Sequence, residues 1–195
     1  MLNQNDIKKL VEDGSYAWEI LKRYKKKNPD TYYGKYEIVL NAVGISSNTY
    51  DGMNILMLDA DGELNPDAVL TLAKACGNTY VIKTHNGWHI YCLRKMEDRE
   101  WRKWILYAMQ NGIEDELHTI ISIARKQSIL RVHPDFQLKF AVKLDNLKYV
   151  ASRPHYNLLK RRYGDIVNEL YLDDNEFLKF EIYSRHKEMQ PLEVV

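Results

Sequence analysis

The segment Asn54–Asp61, NILMLDAD, constrains this chain more than any other. Ile55, Leu56, Met57 and Leu58 place apolar side chains on both faces of any strand they form, so that strand must be buried on both sides. It then ends in Asp59 and Asp61, separated by Ala60. Residues i and i+2 of a strand point to the same face, so two carboxylates leave the end of a buried element side by side. Like charges there are costly unless something neutralises them, and hard oxygen donors suit Mg²⁺ or Mn²⁺. A solvated strand end turning at Gly62 is the plainer reading of the same residues. An EF-hand is excluded, because Gly62 falls two positions early and Leu70 stands where that loop needs glutamate.

Periodicity places other elements around this strand. Residues 6–27 have helical spacing that Gly14 weakens, which predicts two short helices ended by Asn28-Pro29-Asp30. Residues 36–43 read as a strand and 44–52 as a polar loop or hairpin. A helix starts at Asn65-Pro66-Asp67, runs to Ala75 and is closed by Gly77. Strands at 79–84 and 88–93 flank an Asn86-Gly87 turn, a strong hairpin signal. Asp98–Gln110 is an amphipathic helix ending at Asn111-Gly112. Strands are expected at 119–124, 128–132 and 139–144, with a mainly helical remainder from Pro154. Strand, helix, strand, strand, helix, strand predicts an α+β fold: an RRM-like, split βαβ sheet, antiparallel or mixed, with helices packed on it. The expected organisation is a helical segment over 1–35, a core over 36–150 and a mainly helical segment over 151–195.

Composition removes several classes. Of 195 residues, 28 are Lys or Arg and 27 are Asp or Glu, so the net charge of +1 excludes a strongly basic DNA-coating protein. Local surpluses remain at Lys22, Arg23 and Lys25 to Lys27, and at Arg153, Lys160, Arg161 and Arg162; each taken alone is ordinarily a solvated helix face. No apolar run approaches the roughly 18 residues of a membrane span, and no signal-peptide core is visible. Cys76 and Cys92 make no disulfide framework, and a reducing cytoplasm is the expected compartment. No Gly-x-x-x-x-Gly-Lys-Ser/Thr run exists, which removes a P-loop ATPase.

Two further segments carry chemistry. In Lys83-Thr84-His85-Asn86-Gly87-Trp88-His89 a strand delivers an ammonium and a hydroxyl to a tight turn, and the return strand presents an imidazole. Those donors suit a triphosphate; a plain hairpin with a structural histidine is the bland alternative. A zinc site from His85, His89 and Cys92 lacks the usual motif, and His89 and Cys92, three apart, should face opposite ways. Glu114, Asp115 and Glu116 precede an apolar strand that holds Arg131 between Leu130 and Val132, with Lys139 beyond. A guanidinium there wants a carboxylate or a phosphate; a structural ion pair is the simpler reading.

In this order the motifs resemble the archaeo-eukaryotic primase superfamily, and most nearly its small primase-polymerases of phages, viruses and plasmids. The likeness spans roughly 36–144. It implies a primase catalytic core in which Asp59 and Asp61 bind the catalytic metals, Mg²⁺ or Mn²⁺. His89 would contact the phosphates of the incoming nucleotide. Lys83, Thr84, Arg131 and Lys139 match the family's polar residues around that nucleotide. For the family's third metal-binding acid the choice is Asp115, with Glu114 and Glu116 as near alternatives. The implied activity is DNA-dependent nucleotidyl transfer during DNA replication, onto a primer or an initiating nucleotide. The implied partners are a single-stranded DNA template and nucleoside triphosphates, with a replicative helicase as a compatible addition and no membrane. The rival reading is a non-catalytic RRM-like module binding single-stranded nucleic acid. A rolling-circle nuclease fits less well, since residues 88–91 supply one histidine where two are needed.

Overall fold

The computed structural model describes residues 2–30, 44–61, 63–76, 78–83, 87–131, 140–145, 151–163 and 167–171. The expected strand at 36–43 lies outside them, as do Thr84, His85, Asn86, Val132 and Lys139.

The N-terminal helical pattern forms two helices, α1 (Gln4–Glu12) and α2 (Tyr16–Lys27), with Gly14 in the break. The Asn3 side chain caps α1 by accepting the Asp6 N–H at 2.9 Å. Asp6 is buried, which its carboxylate tolerates because Tyr16 Oη donates to it at 2.8 Å and Arg23 at 3.0 Å. These contacts pin α2 against α1.

The central elements follow in order: β1 (Gly44–Ser46), β2 (Asn54–Asp61), α3 (Pro66–Cys76), β3 (Thr79–Lys83), β4 (Gly87–Met96) and α4 (Asp98–Gln110). After them come α5 (Glu116–Arg125), β5 (Ile129–Arg131), β6 (Phe140–Asp145), α6 (Arg153–Tyr163) and β7 (Val167–Tyr171). Five strands make one sheet in the order β2-β4-β3-β6-β7, and β1 and β5 form a separate antiparallel ribbon. Every neighbouring pair in the large sheet is antiparallel except β6–β7. β4 lies between β2 and β3 and runs against both, so β2 and β3 are parallel and α3 crosses between them. β6 then adds beyond β3, which leaves β2 at the edge of the sheet among the described residues.

The sheet separates two apolar layers, as alternation along the strands requires. Leu56, Leu58, Val81, Ile90 and Cys92 face the helices, where residues such as Leu10, Leu72, Trp101 and Ile120 complete a buried cluster. Ile55, Met57, Tyr80, Ile82, Tyr91 and Leu93 face the other way and are covered by Ile45 and Leu130 of the ribbon and Leu159 of α6. The chain is thus α+β, with its main sheet buried on both faces through β2. Among the described residues no helix is long and apolar enough to cross a membrane.

Three expectations are corrected. Residues 119–124, expected as a strand, belong to helix α5. Their Ile-rich run is buried nearly all round between α2 and α4, and a fully buried apolar run has no polar face to reveal its period. Residues 44–52, expected as a polar loop or hairpin, begin with β1, which pairs with β5 in register Gly44↔Arg131. In the segment expected to be mainly helical, α6 is followed by β7, which extends the sheet.

Gly87 is required where β4 begins. It stands opposite Asp61, and a Cβ there would fall 2.1 Å from the Ala60 carbonyl oxygen. Only a residue without Cβ lets the two strands close at the end that carries Asp59 and Asp61. Gly87→Ala should therefore destabilise the chain by about 1–3 kcal/mol. An unchanged denaturation midpoint would contradict this close approach.

Candidate functional site

Strand pairing assembles the site. Asp59 is opposite His89 in the β2–β4 register. The backbone N–H of Asp59 points away from β4, where the Glu114 Oε2 accepts it at 2.8 Å. Asp59 and His89 therefore face each other as a non-hydrogen-bonded pair, the antiparallel arrangement in which side chains approach most closely. His89 Nε2 lies 3.6 Å from Asp59 Oδ1. That is too long for a hydrogen bond but short enough for strong attraction once the ring is protonated. The His89 side chain is buried, with 6% exposed, whereas that of Asp59 is 42% exposed. The His89 ring also meets Tyr91 edge-on, with centroids 6.3 Å apart. Asp61, two residues further along the same strand face, is exposed.

Behind Asp59 is a buried ion pair. Glu114 has no exposed side-chain surface, and its Oε1 lies 2.7 Å from His118 Nδ1, one helical turn on. Burial pushes the Glu114 carboxyl above its usual range, and the nearby His118 and the Asp59 N–H only partly offset this. Burial opposes the charge on His118, but the Glu114 carboxylate and its hydrogen bond outweigh it, raising the imidazole to about 9. The pair sits at the start of α5, whose first residues use each acid differently. Asp115 is the N-cap, its Oδ1 accepting the His118 N–H at 2.9 Å. Glu116 reaches the start of the N-terminal helices, accepting the Leu2 N–H at 3.0 Å.

The candidate residues thus fall into groups. Asp59, Asp61 and His89 come together at one end of the β2–β4 pair, with Glu114 touching the Asp59 backbone. The Asp115 carboxylate is turned to the helix it caps. Lys83 ends β3 opposite Trp88 and Phe140. Arg131 is in the β1–β5 ribbon, opposite Gly44. Thr84 and Lys139 lie outside the described residues. His118 was missed by sequence reasoning. A Glu-x-x-x-His spacing behind an Asp cap is the signal that could have found it, but it is legible only once 116–125 is read as helix. Cys92 packs into the helix-side core, away from the face that carries His89, as the alternation predicts.

Among the described residues no group of three or more His, Cys, Asp or Glu side chains is arranged to hold a metal ion. At this strand end Asp59 is part-exposed and Asp61 exposed, so both carboxylates reach solvent. That set suits Mg²⁺, which keeps several waters and is held by one or two carboxylates together with substrate phosphates. Comparison with family models, with curated proteins and with solved structures found no match to this chain.

The His118 pair has a measurable consequence. A group whose pKa is raised by folding adds stability that is complete below its ordinary value, here 6.5, and is lost as pH rises through the folded value of about 9. His118→Gln should lower stability at pH 6 by on the order of 2 kcal/mol, with the gap to the wild type narrowing towards pH 9.5. Urea midpoints of both proteins across that range measure the gap; a constant difference would refute the assignment.

Proposed function

We propose that this chain is a metal-dependent nucleotidyltransferase, the catalytic core of a DNA-dependent primase-polymerase that joins nucleoside triphosphates on a single-stranded template. The observation that carries the reading is the strand end where Asp59 and Asp61 share a face and His89 stands opposite Asp59 at 3.6 Å. The resemblance to archaeo-eukaryotic primases assigns those three residues to metal and phosphate. The parallel β2–β3 pair with β4 between them is compatible with that family's RRM-like core.

Nucleotide addition is an in-line displacement at the α-phosphorus. Asp59 and Asp61 would hold Mg²⁺ or Mn²⁺, which supplies charge neutralisation for the attacking and leaving oxygens. The chain's own residues then position the triphosphate. The imidazole of His89, 3.6 Å from Asp59, suits a phosphate oxygen as a hydrogen-bond donor. Lys83, Thr84, Arg131 and Lys139 are the further phosphate donors that the resemblance assigns, and Asp115 its third acid. The Asp59 side chain is part-exposed and so accessible to a cation, while His89 is packed behind it.

Template contact is best supported on α2. Trp18 is 45% exposed, and Lys22 and Lys26 follow it at helical spacing. An aromatic face beside cations suits a single strand. The non-catalytic RRM-like alternative is less well supported, because Tyr80 and Tyr91, the aromatics on that face of β3 and β4, are buried under the ribbon where bases would have to stack. The two free, buried cysteines are compatible with a reducing cytoplasm, and a replicative helicase remains a compatible partner.

The test is extension of a primed single-stranded template with Mn²⁺ and deoxynucleotides. Asp59→Asn and Asp61→Asn should each reduce incorporation by about 10²-fold or more while keeping the wild-type melting transition. An unprimed template with labelled nucleotides separates initiation from elongation. Binding of single strands with no incorporation by the wild type would return the reading to the non-catalytic module.

A further inference from the structure

We propose that Glu114 is a positioning residue: its buried carboxylate, braced by His118, grips the Asp59 backbone and so sets where that aspartate meets a cation, without itself being a ligand. The inference rests on the nucleotidyltransferase reading for the cation and on contact geometry for the grip.

Among the described residues β2 is the edge strand of its sheet, and edge N–H groups have no ladder partner. Two of them are answered by different parts of the chain. Ile55 N–H donates to the Ser47 carbonyl at 2.9 Å, and Asp59 N–H donates to Glu114 Oε2 at 2.8 Å. The Glu114 contact joins residues 55 apart in sequence and replaces, at a single residue, what a neighbouring strand would supply. Pairing with β4 and burial on both faces fix the register of β2, and the Glu114 contact restrains the backbone at the one residue whose carboxylate reaches out of that packing.

The surroundings of Glu114 argue against a ligand role. Both of its oxygens are engaged, one by the Asp59 N–H and one by His118 Nδ1, and the side chain has no exposed surface. The backbone that carries it is anchored as well. Asp115 caps α5 immediately after it, and His118 lies one turn into that helix. Removing one partner of a buried charged pair leaves the other uncompensated, so the two act as a unit. Outer residues that orient a ligand typically change metal affinity by about 10–100-fold when removed.

Two variants separate holding from ligation. Glu114→Gln keeps an oxygen for the Asp59 N–H and an amide N–H₂ for Nδ1 of His118; Glu114→Ala keeps neither. The readouts on the full chain are the hydrogen-exchange rate of the Asp59 amide and the affinity for Mn²⁺ without nucleotide. Glu114→Ala should speed exchange and weaken Mn²⁺ binding by about tenfold each, and Glu114→Gln should bring both back to within about threefold of wild type. The proposal is overturned if Glu114→Gln loses Mn²⁺ as severely as Asp61→Asn, since Glu114 would then be a ligand. It is equally overturned if the Asp59 amide stays fully protected in Glu114→Ala. Should Glu114→Ala fail to fold, the Glu114→Gln arm decides alone, with retained Mn²⁺ and a protected amide supporting the grip. A wild type that binds no Mn²⁺ removes the nucleotidyltransferase reading and the cation half of this proposal; the Asp59 exchange rate then still decides whether Glu114 holds that backbone.

Discussion

The burial of β2 on both faces is the constraint on which the rest of the molecule depends. Ile55 and Met57 lie under the ribbon and α6, while Leu56 and Leu58 lie under the helices. A strand packed on two sides cannot rotate or slip without exposing one apolar set and burying charge. Its terminal aspartates therefore have fixed directions, although they reach solvent. Gly87 completes the arrangement by allowing β4 to lie against β2 at that end.

An edge strand would ordinarily be a weak place to mount chemistry, because half of its backbone groups lack sheet partners. Here the edge is held from a distance. The turn before β2 supplies the Ser47 carbonyl, and the loop before α5 supplies the Glu114 carboxylate. Burying that carboxylate is costly, and His118 offsets the cost with a hydrogen bond and opposite charge. The result is a rigid, buried support behind a part-exposed acid. Rigid supporting residues behind accessible ones are the general design of sites that must hold a cation or an anionic substrate in one geometry.

Much of the scaffold was legible from local pattern. NILMLDAD became a strand with the predicted bounds, Gly14 marked the break between two helices, and Asp98–Gln110 matched its helix end to end. The residues facing each other across β2 and β4 were only partly legible. Asp59 and Asp61 share a face by strand geometry alone, but that His89 stands opposite Asp59 follows from the non-local pairing of β2 with β4. The Ile-rich run of α5 was misread because complete burial erases the contrast between faces that periodicity relies on. With that helix read as strand, the spacing from Glu114 to His118 carried no meaning.

Glu114, Asp115 and Glu116 show where the division falls. By itself the sequence determined that three acids stand together after a helix, and that two aspartates end a buried strand, since both follow from residue order and the strand period. Only the tertiary structure decided that Glu114 reaches the Asp59 backbone, that Asp115 caps α5 and that Glu116 takes the Leu2 N–H. The physical reason is distance along the chain. Conformation over a few residues is set by local sterics and hydrophobic period, whereas the role of a carboxylate is set by which donor arrives through space, and two of these donors come from 55 and 114 residues away.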